Sequence, residues 1–491
     1  MSEAKDIQQH PKVEIAVKNF GPIAEANIDL RPLTVFVGPS NTGKTYFATL
    51  VYALHGAFNG LFHSSLFSPF QYGVMEILSV LLTGLTTPKG EIQDILNKLS
   101  MMDRSFKLSD FSEEIRQKLG ISIKDTGFFR EELQDELKNC FDLNSVSELM
   151  RLTGEHRNEI KVLLRIGERN QEYLNVIMKV SESKVNLDNL ISLDNPAYED
   201  MVLLPDRWSV SGELLVDDNR VRIGRFSRPQ QPNRFYLPAA RSGIMQSHRI
   251  IASSLVNRTT RVGLEQFPEV PTLSGIIADF MQKIILYDEK ETSTFEMKHL
   301  AETLETEVLR GQIRLKPSAS GYPDFRYLPQ GTDEDIRLSQ SSSMVSELAP
   351  LVLYLRGLVR PGDTLIIEEP EAHLHPGAQA DMAVVLARLV RAGVKVIITT
   401  HSDWLLEEIG NLTLEGLLEE NVEEPASWLL PDEIGVWHFQ KDEPVKEIPF
   451  KPREGISPED YEDVAEGLYN RSVNLQQRFE KQEGKNERES A

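Results

Sequence analysis

Two short stretches concentrate the side chains able to do chemistry. Residues 38–45, GPSNTGKT, fit the pattern G-x-x-x-x-G-K-S/T in full. Its spacing has a physical basis: the glycines let successive backbone N–H groups turn inward around phosphate oxygens, and the N-terminus of a following helix adds its dipole. Gly38, Pro39, Ser40, Asn41, Thr42, Gly43, Lys44 and Thr45 would then cradle the phosphates of ATP. Lys44 would reach the β and γ oxygens, and the Thr45 hydroxyl would face Mg²⁺. Residues 364–379, TLIIEEPEAHLHPGAQ, run from apolar and β-branched side chains into Glu368, Glu369, Glu371, His373 and His375. That cluster admits two chemistries. Either a His-x-His pair with carboxylates holds a metal such as zinc, or the glutamates are the acidic end of a nucleotide-hydrolysing strand.

The elements that must position these groups are legible around them. Residues 33–37, LTVFV, form a short apolar run that predicts a buried strand leading into the glycine loop, and helical spacing begins at Phe47. A phosphate loop set between strand and helix needs a second apolar strand ending in an acid, and TLIIEE supplies one. Glu368 is then the magnesium-side acid and Glu369 the general base that polarises the attacking water. Aspartate is usual at the first position; glutamate is one methylene longer and predicts a water-mediated contact to Mg²⁺.

Elsewhere, residues 12–37 alternate in short β-rich runs broken at Gly21-Pro22 and Arg31-Pro32, which predicts a hairpin or small sheet. Residues 70–190 read as mostly helical, although 159–181 fit strand and helix equally, and 245–310 read as helical again. The last third has an α/β rhythm: helix 343–358, strand 363–369, helix 377–392, strand 395–401, helix 403–410, strand 434–440 and a closing helix at 457–479.

The segments IAVKNFGPI, LTVFVGPSNTGKT, YLPAARSGI, LIIEEPEAHLHP and VIITTHSDWLL resemble the ABC-type ATPases of the SMC-like branch, close to the AAA-15/AAA-21 and OLD-family ATPase domains. The resemblance implies an α/β P-loop NTPase of ABC/SMC-head type with a long, mainly helical insertion. Its division would be an N-terminal ATPase lobe at 12–60, an insertion at 61–330 from which 232–245 returns to the head, a second lobe at 331–450, a C-terminal helix at 451–480 and a disordered tail at 481–491. By the same resemblance His401 is a switch residue sensing the γ-phosphate. Ser342 and Ser343 stand at the signature position, where they would cap ATP bound to the opposite subunit, although the usual glycine is replaced by Met344. The order of motifs along the chain moves His373 and His375 from metal ligands to residues of the dimer interface.

Nucleotide-dependent switching by a homodimer of heads, or a higher oligomer, is implied. So is a separate effector partner, as in bacterial anti-phage defence systems.

Composition bounds the alternatives. Among 491 residues, 53 Lys and Arg face 75 Asp and Glu for a net charge of -22, so the chain as a whole repels phosphate backbones. One local exception stands out: residues 219–264 hold nine arginines and no acid, which keeps DNA open as a partner and a repair-type ATPase open as a function. A slow-turnover regulatory scaffold is the other competing class. Arg241, within that stretch, is expected beside the nucleotide or a partner. The single cysteine, Cys140, fits a reducing, cytoplasmic setting, and no apolar run approaches the roughly 20 residues that span a bilayer.

Overall fold

The computed structural model describes residues 12–57, 106–107, 127–153, 156–168, 171–181, 185–188, 202–203, 215–217, 220–222, 233–247, 250–251, 273–288, 294–316, 323–418, 427–456, 470–473 and 475–476.

The chain opens with β1 (Lys12–Phe20) and β2 (Ile23–Leu30), an antiparallel pair with Ile15 opposite Ile28. A tight turn at Gly21 (φ 52°) joins them. Next come β3 (Leu33–Val37), buried at every residue, and α1 (Lys44–Ala57). Then follow α2 (Gly127–Phe141), β4 (Ile160–Glu168), β5 (Gln171–Val180), β6 (Val185–Asp188) and β7 (Arg234–Leu237). Helices α3 (Gly275–Ile285) and α4 (Phe295–Thr303) precede a small antiparallel sheet of β8 (Gly311–Lys316), β9 (Asp324–Pro329) and β10 (Ile336–Arg337). The rest is α5 (Ser343–Gly357), β11 (Thr364–Glu368), α6 (Pro376–Arg391), β12 (Lys395–Thr400), α7 (Asp403–Leu418), β13 (Ile434–His438) and β14 (Lys446–Glu447).

The main sheet runs β7-β11-β12-β3-β13-β14, parallel throughout except for the last pair. Strands of a parallel sheet are covered on both faces, and the pleat sends alternate residues into different cores. Leu33, Val35 and Val37 of β3 join Leu365, Ile367, Val396 and Ile398 in one core with α5 and α6. Phe36 joins Ile366, Ile397 and the α1 residue Phe47 in the other. Because β12 lies between β3 and β11, the C-terminal ends of three adjacent strands meet along one edge, the place where open α/β sheets take their ligands.

The second sheet, β2-β1-β4-β5-β6, is antiparallel, and its strands β4, β5 and β6 fall within the stretch 70–190 that reads as mostly helical. The ambiguous stretch is a hairpin, with β4 pairing β1 so that Ile15 faces Leu164. Ile160, Val162 and Leu164 are buried in alternation, and the distant strand β1 supplies the pairing that local propensity leaves open. Within the stretch 70–190 that reads as mostly helical, residues 108–126 lie outside the described residues. So does most of the closing helix at 457–479, of which 470–473 and 475–476 are helical, and all of the tail at 481–491. No helix among the described residues is long and apolar enough to cross a membrane.

Candidate nucleotide site

The loop after β3 is shaped by three left-handed residues, Gly38 (φ 132°), Asn41 (φ 64°) and Gly43 (φ 110°). A Cβ on Gly38 would sit 2.2 Å from the Phe439 carbonyl oxygen, and one on Gly43 would sit 2.5 Å from the Ile23 side-chain atom Cγ1, so close packing as well as φ favours glycine at both. Pro39, Ser40, Asn41 and Thr45 are exposed, whereas Thr42 and Lys44 are buried. The Thr42 hydroxyl donates to the Pro39 carbonyl at 2.8 Å and so braces the turn from inside.

Lys44 Nζ donates to the carbonyls of Gly38 and Pro39, at 2.7 Å each. Burial lowers its pKa to about 8, against the opposing pull of the Glu369 and Glu371 carboxylates. The ammonium is therefore held by the loop itself and lies within the field of the acids at the end of β11.

At that end the two glutamates differ sharply. Glu368 is 7% exposed; Tyr236 Oη donates to its Oε1 at 2.5 Å, and the Ala239 N–H donates to its Oε2 at 2.8 Å. Burial first, and then the neighbouring carboxylate, push the Tyr236 hydroxyl well above its ordinary pKa, so it stays a neutral donor. Glu369 has left the strand with φ at 44°, and its N–H donates to the Thr399 carbonyl at 2.8 Å while its side chain stays 44% exposed. His401 follows β12 and brings Nε2 to 3.9 Å from Glu369 Oε1. Burial and the Lys44 charge lower the His401 pKa against the opposing effect of Glu369, which favours a neutral imidazole.

Two residues of this arrangement make contacts that the sequence reading did not assign to them. Glu371 Oε1 accepts the Thr400 hydroxyl and the His401 N–H, both at 2.7 Å, and burial raises its pKa. Arg241, expected beside the nucleotide or a partner, is instead 1% exposed in the interior. Its guanidinium donates to the carbonyls of Glu368 and Glu369 and pairs with Glu347 Oε1 of α5 at 2.8 Å. The available signal was its setting: an arginine directly after the apolar run FYLPAA has few reasons to be there unless its charge is met inside.

The remaining site residues sit at helix starts. Ser342 caps α5 by accepting the Val345 N–H at 3.4 Å, and both it and Ser343 are exposed. His375 caps α6, accepting the Gly377 N–H at 3.4 Å, and His373 is exposed with φ at 62°. Among the described residues, no group of three or more His, Cys, Asp or Glu side chains is arranged to hold a metal ion. Of the nine arginines at 219–264, Arg234 pairs with Glu136 and Arg241 with Glu347, so these two serve the interior. The side chains of Arg220, Arg222, Arg225, Arg228, Arg249, Arg258 and Arg261 lie outside the described residues.

Residues 255–406 match the family model of the AAA ATPase domain. The matched span includes α5, β11, α6, β12 and His401. No curated protein matches it. Among solved structures, an SMC head bound to the C-winged helix domain of ScpA is 10% identical at a TM-score of 0.39, covering 90% of this chain and 98% of that one. A Pyrococcus furiosus Smc head domain with an extended coiled coil, bound to the C-terminal domain of ScpA, is 12% identical at a TM-score of 0.36, covering 94% and 100%. The SMC head domain from Thermotoga maritima is 11% identical at 0.32, covering 90% and 100%.

Proposed function

We propose that this AAA-type ATPase binds ATP in the loop 38–45 and hydrolyses it with Glu369 as the base that polarises water. The observation that carries the proposal is the convergence of three adjacent strand ends. Lys44 lies in the field of Glu369 and Glu371, and His401 Nε2 is 3.9 Å from Glu369 Oε1. An exposed carboxylate beside a neutral imidazole suits a water-activating pair, because the carboxylate can accept a proton and the imidazole can hydrogen-bond a phosphate oxygen.

Lys44 would exchange its loop carbonyls for the β and γ oxygens as phosphate enters. Thr45 and Glu368 offer a hydroxyl and a carboxylate, the hard oxygen donors that Mg²⁺ takes. Because each Glu368 oxygen already has a protein donor, it would act on the water shell of the ion. When bound, Mg²⁺ would neutralise charge building up on the phosphates.

In the same proposal the heads work as a dimer. The exposed N-terminus of α5, with Ser342 and Ser343, would meet the nucleotide of the opposite subunit, and His373 and His375 would lie at the interface. ATP-driven closing and opening would act on a separate effector, with bacterial defence the setting that the resemblance suggests. Lobes at 12–60 and 331–450, joined by 232–245, would form the head. A DNA-bound repair role keeps only those arginines of 219–264 that are not committed to the interior. Phosphate release by the full chain with ATP and Mg²⁺ tests the proposal: turnover abolished by Lys44→Ala supports it, and turnover that survives this change points to a contaminating activity.

A further inference from the structure

Glu369 holds an unfavourable backbone conformation, φ 44°, at the point where its side chain must be aimed. A non-glycine residue persists there only when its surroundings over-determine it. On one side the Glu369 N–H is fixed by the Thr399 carbonyl of β12 at 2.8 Å. On the other side stands one buried side chain. Arg241 donates through one terminal nitrogen to the Glu368 carbonyl, and through the other to the Glu369 carbonyl at 2.9 Å. The same guanidinium reaches α5 through the Glu347 carbonyl at 3.2 Å and Glu347 Oε1 at 2.8 Å, and reaches its own turn through the Pro238 carbonyl at 3.1 Å. Both partners of the ion pair are fully enclosed, at 1% and 0% side-chain exposure. A pair so placed is poor as a source of stability, since desolvation offsets most of the attraction. Its geometry is specific: a planar fork spans two consecutive carbonyls, which lysine cannot reproduce.

Building on the ATPase reading, we infer that Arg241 is a positioning residue that sets the aim of Glu369 and, through Glu347, ties that aim to helix α5. The N-terminus of α5 carries Ser342 and Ser343, and Glu347 lies about one turn further along the same helix. A shift of α5 would therefore be passed to the peptide flanking Glu369 by way of a single guanidinium. Arg241 touches no substrate in this scheme; it acts through the backbone of Glu369.

The test uses the full chain and two variants, Arg241→Lys and Glu347→Gln, with ATP affinity, kcat and thermal unfolding measured for each. Arg241→Lys is expected to lower kcat at least tenfold while ATP affinity stays within about threefold. Glu347→Gln, which keeps the volume and an oxygen acceptor for Arg241, is expected to lower kcat about threefold with affinity unchanged. A purely structural role would move affinity, kcat and melting temperature together, and that result overturns the inference. If Arg241→Lys fails to fold, Glu347→Gln decides: kcat within about 1.5-fold of wild type, roughly the assay scatter, overturns the inference. A wild-type chain without ATPase activity removes both this inference and the ATPase proposal. Wild-type turnover that neither variant changes removes this one alone.

Discussion

The carboxylate of Glu371 accepts the backbone N–H of His401 at 2.7 Å, tying the turn after β11 to the end of β12. The same oxygen accepts the Thr400 hydroxyl, so one buried side chain sets the spacing between the strand end that carries Glu369 and the strand end that carries His401. What the sequence presents as one of several acidic or imidazole groups is a brace.

Glu371→Ala leaves two buried donors without their acceptor and should destabilise the fold by about 1–3 kcal/mol in chemical denaturation. Glu371→Gln keeps an acceptor and should be far milder. Burial raises the folded-state pKa of Glu371 above its ordinary 4.5, so the folded state disfavours the charged form. Its contribution to stability should fall as pH rises from 4.5 through the folded-state value. Wild type should lose stability relative to Glu371→Gln between pH 4.5 and pH 7, and a constant difference would refute this cause of the shift.

Lys44 offers a second pH dependence, on binding. Its folded-state pKa of about 8 lies below the ordinary 10.5, so the free protein loses this charge as pH passes 8. ATP binding requires the ammonium. Affinity should therefore weaken above pH 8, approaching roughly tenfold per pH unit, with net proton uptake on binding. Isothermal titration in buffers of different ionisation enthalpy measures both. Affinity that stays flat from pH 7 to 9.5 would show that Lys44 is charged throughout.

Ser342 and Ser343 separate helix capping from a role in catalysis. Ser342 caps α5, and its replacement by alanine should cost about 1 kcal/mol of stability. Ser343 is exposed just inside the helix. Ser343→Ala should leave the melting temperature unchanged and lower kcat about tenfold if the serine meets ATP of a second subunit. Unchanged turnover in both variants would remove these serines from the site.

Much of the head was legible because its signals are local. The phosphate loop is fixed by residue type and spacing, and β3, β11 and β12 are short apolar runs that fill both faces of a parallel sheet, which gives them continuous hydrophobicity and clear ends. What escaped depends on partners far away in sequence. β4 reads equally as helix until β1 is set beside it, with Ile15 opposite Leu164. Arg241 reads as one of nine arginines in an acid-free stretch until Glu347, 106 residues on, meets it in the interior. Glu368 reads as the magnesium-side acid from its type and place, but the sequence does not show that Tyr236, on the neighbouring parallel strand, donates to its Oε1. A side chain's chemistry can be read from its type; its availability is set by the tertiary partner.

The central claim is that Glu369 acts on the attacking water. Single-turnover hydrolysis with enzyme in excess, comparing wild type with Glu369→Gln, tests it most directly, because glutamine keeps the shape and removes the base. The account predicts ATP affinity within about threefold and a hydrolysis rate lowered by roughly 100-fold or more. A Glu369→Gln rate within threefold of wild type would contradict it.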